Sequence, residues 1–498
     1  MTMTASNPSI PGLTAEQLVA AGSLVPRLYI QAAPGSGKTA VSAHRFGLQR
    51  YTPSADQRAV VAVSFTRSAT SELRTRVLQR WGPSALAWPH RIVTLDTVMY
   101  DLLTHLLRIG LIEWPGGHRE LQVLDSWKVK FPTSRTCRKP ALVLEGRQVV
   151  ATSVSTGTEP IYTVSQDNFE KAVHAGFCTH DDLREVLEHA LAADDVVKSL
   201  TSHLEATTRA LIVDEIFDAN TLDLAVVRLA ARAGIQVTVV GDPWQALYSF
   251  RGARPEQVPV LVTEERFTQR DLCSSFRWQR NSPQDQLAAQ LRSGAPTTVP
   301  IGSVDVVDIV LAREWKPLWE TDARVLPLAF KSATGQVQEA ASTLLLNEIT
   351  RRTFGLDATY LNDALTTLGI SDQDAFARLR PQLQAIMEPL AGTEDLNGIW
   401  ELLNEAVATE AVDRTFPRRH ATHIERLNAM RMRLQMPANH LVPGISCHQA
   451  KGREWGRVGI RLDDYDRRSL EHGLDSAIER HRTLYVALTR ARNLSVAL

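Results

Sequence analysis

At 498 residues the chain is too long for one hydrophobic core and points to about three domains. Its 55 Lys plus Arg balance 55 Asp plus Glu, so a formal net charge of zero argues against a hold on nucleic acid by bulk charge. A local basic track inside a groove stays open to it. The four cysteines, Cys137, Cys178, Cys273 and Cys447, lack the spacing of a zinc or disulfide site, and the opening residues contain no apolar signal core. Free thiols in a cytoplasmic protein without a membrane span are the expectation.

In chain order, residues 27–33 and 59–66 are short apolar runs that end in small or charged residues and lead into helical patterns. Residues 209–215 and 236–242 repeat the arrangement. Continuous apolar runs suit strands covered on both faces, as in a parallel α/β sheet, where ligands sit beyond the carboxyl ends. Every one of these ends carries a candidate functional residue. Residues 100–208 interrupt the series, with a helix over 100–109, hairpins over 141–165 around Glu145-Gly146 and Gly157, and helices over 167–207. After Pro255 a second α/β segment begins, with strands expected at 304–310, 325–330 and 458–462. A helical stretch over 343–435, broken at Gly369, Pro381 and Gly392, interrupts it in turn. Within that stretch a basic run over residues 414–433 includes Arg418, Arg419, His420, Arg426 and Arg431. It reads either as a phosphate-contacting helix or as a solvated helix face.

The run Ala32-Ala33-Pro34-Gly35-Ser36-Gly37-Lys38-Thr39 follows an apolar strand and opens a helix. Strand, small-residue loop and helix N-terminus make an anion site from converging backbone N–H groups. Lys38 supplies a point charge for the β- and γ-phosphates of a nucleotide, and Thr39 a hydroxyl ligand for Mg²⁺. The usual leading glycine is replaced by Ala32. The expected partner is Leu211-Ile212-Val213-Asp214-Glu215, a strand delivering two acids. Asp214 suits Mg²⁺ binding through water, and Glu215 suits orienting and deprotonating an attacking water.

The strand at 236–242 continues as Val240-Gly241-Asp242-Pro243-Trp244-Gln245-Ala246-Leu247-Tyr248-Ser249-Phe250-Arg251-Gly252-Ala253. This run resembles motif III of the UvrD/Rep/PcrA helicases of superfamily 1, and further blocks fall in that family's order. Leu13-Thr14-Ala15-Glu16-Gln17 resembles the adenine-reading Q motif, and Val63-Ser64-Phe65-Thr66-Arg67-Ser68-Ala69 resembles motif Ia. Phe276-Arg277 resembles motif IV, and His448-Gln449-Ala450-Lys451-Gly452-Arg453-Glu454-Trp455 resembles motif V. Arg482-Thr483-Leu484-Tyr485-Val486-Ala487-Leu488-Thr489-Arg490-Ala491 resembles motif VI.

The resemblance implies an α/β fold of two RecA-like P-loop NTPase domains, parallel sheets flanked by helices, each carrying an inserted subdomain. The first motor domain is expected over 1–99 and 209–262, with a 1B-like insertion at 100–208. The second is expected over 263–342 and 437–498, with a shortened helical 2B-like insertion at 343–436. It further implies ATP and Mg²⁺ as cofactors, held by Gln17, the loop residues Ala33 to Thr39, Phe276 and Glu454. Gln17 reads the adenine edge, Phe276 stacks on the base and Glu454 contacts the ribose. Gln245 senses the γ-phosphate, and Arg277 and Arg490 act as arginine fingers. Single-stranded DNA is implied at Phe65, Thr66, Arg67, Thr94, Tyr248, Phe250, Arg251, His448 and Lys451. Phe65, Tyr248 and Phe250 read either as base-stacking platforms or as ordinary core aromatics.

Two departures from the family pattern touch the nucleic-acid groove: Arg67-Ser68 stands where Asn-Lys is common, and Asp96 in place of a usual His. On the nucleotide side Ala40 stands where an arginine near the base is common, and Ile216-Phe217-Asp218 follows the acids in place of Phe-Gln-Asp. The activity implied is ATP-dependent DNA helicase or translocase, moving 3′ to 5′ on single strands or junctions. A monomer or weak oligomer is expected, with a nuclease as a candidate partner in DNA repair or phage defence. The alternatives are a non-unwinding accessory translocase and, from another class, an ATP-dependent switch with little turnover. The intact Glu215, Gln245, Arg277 and Arg490 speak against the switch. An unrelated P-loop kinase would not need the motif III and motif V blocks.

Overall fold

The computed structural model describes residues 13–52, 56–331, 336–370, 373–411 and 421–498. The chain divides into two compact units. The first runs up to Val123 and takes in Ala141–Thr152 and Ala172–Arg280; the second comprises Leu124–Pro140, Ser153–Lys171 and Asn281–Leu498.

In the first unit six strands form one sheet: β1 Arg27–Ala32, β2 Ala59–Ser64, β3 Arg91–Thr94, β4 Thr208–Val213, β5 Gln236–Gly241 and β6 Thr268–Leu272. Their order is β6-β1-β5-β4-β2-β3, and every neighbouring pair is parallel. β2 is buried along its whole length, which is why its sequence shows no polar alternation. On one side Phe46, Leu73 and Val77 from the helices Lys38–Tyr51 and Arg67–Trp81 pack on Val60, Ala62, Ile92, Ala210 and Ile212. The expected close of the first motor domain at residue 262 leaves out β6, which pairs with β1 from Leu28↔Thr268 to Ala32↔Leu272. Two of the five residues of β6 are apolar or small enough to suggest a strand; the rest of Thr-Gln-Arg-Asp-Leu is polar and edge-like.

The interruption between β3 and β4 begins with a helix at Leu95–Arg108, five residues earlier than expected. The strands Arg138–Glu145 and Gln148–Ser155 pair, as do Ser134–Thr136 and Ile161–Thr163 in antiparallel register, followed by the helices Gln166–His174, His180–Ala190 and Asp194–Thr207.

The second unit contains a five-stranded sheet of β7 Ile309–Ala312, β8 Val325–Pro327, β9 Val442–Ser446, β10 Trp455–Ile460 and β11 Ala491–Ala497, ordered β8-β9-β7-β10-β11 and parallel at every described pairing. The strand expected from 304 begins later, because Val304–Val306 is a 3₁₀ turn. The helices Val337–Phe354, Leu361–Leu368, Gln373–Ala391, Leu396–Ala408 and Ala421–Leu434 share one apolar core. Pro381 does not break this stretch: Gln373–Ala391 runs through both Pro381 and Pro389. Leu379, Leu383, Ile386, Met387 and Leu390 are buried in the core, and that packing outweighs the cost of about 3 kcal/mol for an interior proline. The basic run of this region is structural where it is described. Arg426 pairs with Glu339 at 3.0 Å, and Arg431 donates to the carbonyl oxygens of Leu390 at 2.8 Å and Glu394 at 2.6 Å. Arg414, Arg418, Arg419 and His420 lie outside the described residues. Among the described residues no helix is long and apolar enough to cross a membrane.

Candidate nucleotide site and nucleic-acid face

β1 ends at Ala32, and the next N–H, of Ala33, donates to Leu272 O at 3.0 Å, so the loop departs from a fixed point on the sheet. Pro34 and Ser36 are buried. Gly35 (φ 72°) and Gly37 (φ 80°) adopt left-handed backbone. A Cβ at Gly35 would sit 2.5 Å from Ser275 Oγ and 2.7 Å from Arg277 Cβ; one at Gly37 would sit 2.5 Å from Gln17 Nε2. Glycine is therefore favoured at both positions by φ, and at Gly35 by space as well, since the Arg277 Cβ cannot swing away. Gly37 caps the helix Lys38–Tyr51 without a side-chain hydrogen bond, which leaves the first-turn N–H groups of that helix to an external acceptor. The buried Ser36 Oγ has no hydrogen-bond partner among the described residues. A capless helix start, two left-handed glycines and an unsatisfied buried hydroxyl fit a phosphate group. Thr39, second residue of the helix, and Asp214 carry oxygen ligands suited to a hard divalent cation.

Asp214 and Glu215 lie beyond the end of β4. Asp214 is 3 % exposed, and its N–H donates to Val63 O at 2.9 Å, tying the acids to β2. Burial, then the Glu215 charge, pushes the Asp214 carboxyl well above the usual range, while Lys38 works in the opposite sense. Glu215 has φ 61°, a left-handed conformation that a non-glycine residue adopts at a cost of about 1–3 kcal/mol. That turn aims its carboxylate at the loop, with Oε1 3.5 Å from Lys38 Nζ. Beyond β5, Asp242 is buried and accepts from Gln245 Nε2 at 2.7 Å and from the Trp244 N–H at 3.2 Å. The amide of Gln245 is thereby held inward, at 5 % exposure.

The segment after β6 closes over the loop, the Phe276 N–H donating to Gly35 O at 2.8 Å. The Phe276 ring is 57 % exposed, as a platform for a base would be. The Arg277 guanidinium lies 5.5 Å from the Trp278 ring centre. Gln17 is engaged at both ends of its amide: Nε2 donates to Ser36 O at 2.8 Å, and Oε1 accepts the Thr14 N–H at 3.0 Å. It braces the phosphate loop, a function that the expectation of adenine reading did not include.

The nucleic-acid candidates of the first unit gather at the carboxyl ends of β2, β3 and β5. Phe65 and Thr66 follow β2, and the Thr66 hydroxyl caps the helix Arg67–Trp81 by accepting the Ala69 N–H at 3.1 Å. Arg67 is exposed, and the Thr94 hydroxyl is 3.1 Å from that of Thr97. Tyr248 and Phe250 stand edge to face at 5.9 Å, with the Arg251 guanidinium 5.2 Å and 5.6 Å from the two ring centres. Phe250 is 65 % exposed and so is not a core aromatic; Tyr248 is half-buried behind it.

In the second unit His448 and Lys451 lie in the turn between β9 and β10, and Glu454 immediately precedes β10. Glu454 Oε2 accepts from Arg492 Nε at 3.2 Å. Arg490 is 1 % exposed, its Nε donating to Val486 O at 2.9 Å and its Nη2 to Thr489 Oγ1 at 3.2 Å. These two bonds tie part of the guanidinium to the end of its own helix.

A family model described as AAA domain matches residues 17–251. DNA helicase II of Escherichia coli strain K12 is 26% identical over 257 residues, covering 48% of this chain and 34% of the relative. ATP-dependent DNA helicase Rep of Salmonella typhimurium is 26% identical over 257 residues, covering 47% and 36%. ATP-dependent DNA helicase UvrD2 of Mycobacterium tuberculosis strain H37Rv is 25% identical over 556 aligned residues, covering 98% and 78%. The chain is similar to UvrD-type and Rep DNA helicases. Its matched segment spans about a third of the helicase II and Rep relatives (34% and 36%) and most of UvrD2 (78%).

Asp96 is engaged by a salt bridge within the first unit. Arg184, from the insertion helix His180–Ala190, holds Asp96 and the buried Asp223 at 2.6 Å each. Asp223 also accepts the Asn220 N–H at 2.8 Å, in the capping box that starts the helix after the two acids. The residue that departs from the family pattern is thus accounted for by an insertion arginine. Sequence reading passed over Arg184 because its partners lie 88 and 39 positions away. It also passed over Glu16, an ordinary-looking acid in the first turn of Ala15–Gly22.

Proposed function

We propose that this chain is an ATP-dependent DNA helicase or translocase, moving 3′ to 5′ along single-stranded DNA. The observation that carries the reading is the Lys38–Glu215 approach of 3.5 Å across a loop built on two left-handed glycines. It sets a phosphate-binding cation beside a carboxylate fit to take a proton from water. Bound Mg·ATP would supply the transferable phosphoryl group and the neutralising cation. Lys38 and the helix N–H groups bind the phosphates, Thr39 and Asp214 hold the metal, and Glu215 orients water. Phe276 takes the base, Gln245 responds to the γ-phosphate, and Arg277 with Arg490 neutralises charge at the transferring group. Phe65, Tyr248 and Phe250 supply π-faces for bases, with Thr66, Arg67, Thr94, Arg251, His448 and Lys451 on the strand's backbone. The names of the relatives, all DNA helicases, support the same substrate.

ATP hydrolysis measured with and without single-stranded DNA, alongside strand displacement on 3′- and 5′-tailed duplexes, tests the proposal. DNA-stimulated hydrolysis with displacement of the 3′-tailed substrate is expected. Stimulated hydrolysis without displacement selects an accessory translocase, and hydrolysis indifferent to DNA overturns the reading.

A further inference from the structure

The helix Ala15–Gly22 holds two segments at once. Gln17, its third residue, braces the phosphate loop at Ser36 O. Glu16, its second, points in another direction, as neighbours about 100° apart on a helix must. Its Oε2 accepts the N–H of Cys273 at 2.9 Å and of Ser274 at 3.3 Å, and its Oε1 accepts the Ser274 hydroxyl at 3.1 Å. Partial burial opposes ionisation of this carboxyl, but the bonds from Ser274 and Cys273 outweigh it and hold the group below its usual range.

The two residues so held begin the stretch that carries Phe276 and Arg277. That stretch lies against the loop at a second point, Phe276 N–H to Gly35 O at 2.8 Å, and Arg277 N–H is fixed by Ser275 Oγ at 3.2 Å. β6 ends at Leu272, so over residues 273–277 no sheet pairing restrains the backbone. Glu16 takes over where the ladder stops.

We propose that Glu16 is a positioning residue that fixes the Phe276–Arg277 segment against the phosphate loop. It acts through the backbone of residues 273–274 and does not itself touch nucleotide. The inference deepens the proposed function and rests on it for the roles of Phe276 and Arg277. The competing account is a generic one, in which an acid in a helix's first turn stabilises it through the macrodipole.

Two substitutions separate the accounts. Glu16→Asp keeps the first-turn charge but shortens the side chain by one methylene, while Glu16→Gln keeps the length and one acceptor oxygen and loses the charge. Amide hydrogen exchange of residues 273–277 in the nucleotide-free protein is measured with kcat and KM for ATP hydrolysis. Positioning requires Glu16→Asp to speed exchange of that segment and to lower kcat about tenfold, the scale of a sub-ångström misplacement. It requires Glu16→Gln to stay within about threefold of the parent, since the reach is retained. The reverse order, Glu16→Gln impaired and Glu16→Asp intact, overturns the inference in favour of the dipole. Unchanged exchange in both variants also overturns it. A parent protein that hydrolyses no ATP sinks the functional reading instead, and the exchange measurement still decides whether Glu16 holds the segment.

Discussion

Lys38 Nζ and Glu215 Oε1 lie 3.5 Å apart, and the contact exists because Glu215 adopts φ 61° at the end of its strand. In an extended conformation the side chain would follow the alternation of β4. The left-handed turn redirects it toward the loop.

Glu215→Gln keeps the shape of this pair and removes the base. It is expected to lower turnover by about 10³-fold, within the range for a lost general base, while nucleotide affinity is retained. Lys38→Ala is expected to abolish both binding and turnover. Fluorescent-nucleotide titration paired with steady-state hydrolysis separates the two outcomes. Normal turnover in Glu215→Gln would falsify the assignment of Glu215.

Phe250→Ala removes a ring that is 65 % exposed and contacts Tyr248 and Arg251 at the carboxyl end of β5. Loss of one stacking platform is worth about 1–3 kcal/mol per base, so the DNA concentration for half-maximal stimulation should rise about tenfold or more. Basal hydrolysis should be nearly untouched. Equal loss of both rates marks the ring as structural.

Arg184→Met leaves Asp96 and Asp223 facing one another with no cation between them. Burial already raises the Asp223 carboxyl despite Arg184. A destabilisation of about 3 kcal/mol is expected, the cost of stranding a buried charge. Adding Asp223→Asn should cost less in this background than in the parent, and denaturation midpoints of the four proteins make the cycle.

His90 accepts the Val60 N–H at its Nδ1, 3.0 Å away, a bond that only the neutral ring can accept. Burial, helped by Arg50 and Arg209, pushes its pKa down to about 4. Between there and the ordinary histidine value the unfolded chain binds the extra proton, so stability is full above that value and is lost as pH falls. From pH 7 to pH 5 the loss is about 2 kcal/mol. Asparagine at this position offers an oxygen near Nδ1 and does not titrate. Denaturation of His90→Asn at the two pH values should show a smaller difference than the parent; an equal difference rejects the role of His90.

What was legible in the sequence was local. The loop from Ala33 to Thr39 and the acids Asp214 and Glu215 stand in unbroken strand–loop–helix patterns, where a few consecutive residues contain both geometry and chemistry. What was hidden depends on partners far along the chain. Glu16 acquires its function from amides 257 and 258 positions away, and Asp96 from an arginine 88 positions away. β6 was missed because an edge strand needs little apolar sequence, and Pro381 misled because tertiary packing overrode a local rule. Gln17 shows a further limit: the resemblance assigned it to the adenine edge, and its hold on Ser36 O joins residues 19 positions apart.

β1, the strand that delivers the phosphate loop, pairs with β5 and β6, which begin more than 200 residues later at Gln236 and Thr268. A nascent chain leaving the ribosome therefore carries a finished loop sequence with no sheet to hold it until most of the first unit has emerged. Parallel pairing over such separations forms slowly and leaves strand edges open meanwhile. For this protein the interval between synthesis of Lys38 and synthesis of Leu272 is one of exposure. Translation speed across that interval, and chaperone access during it, should govern how much active protein is obtained.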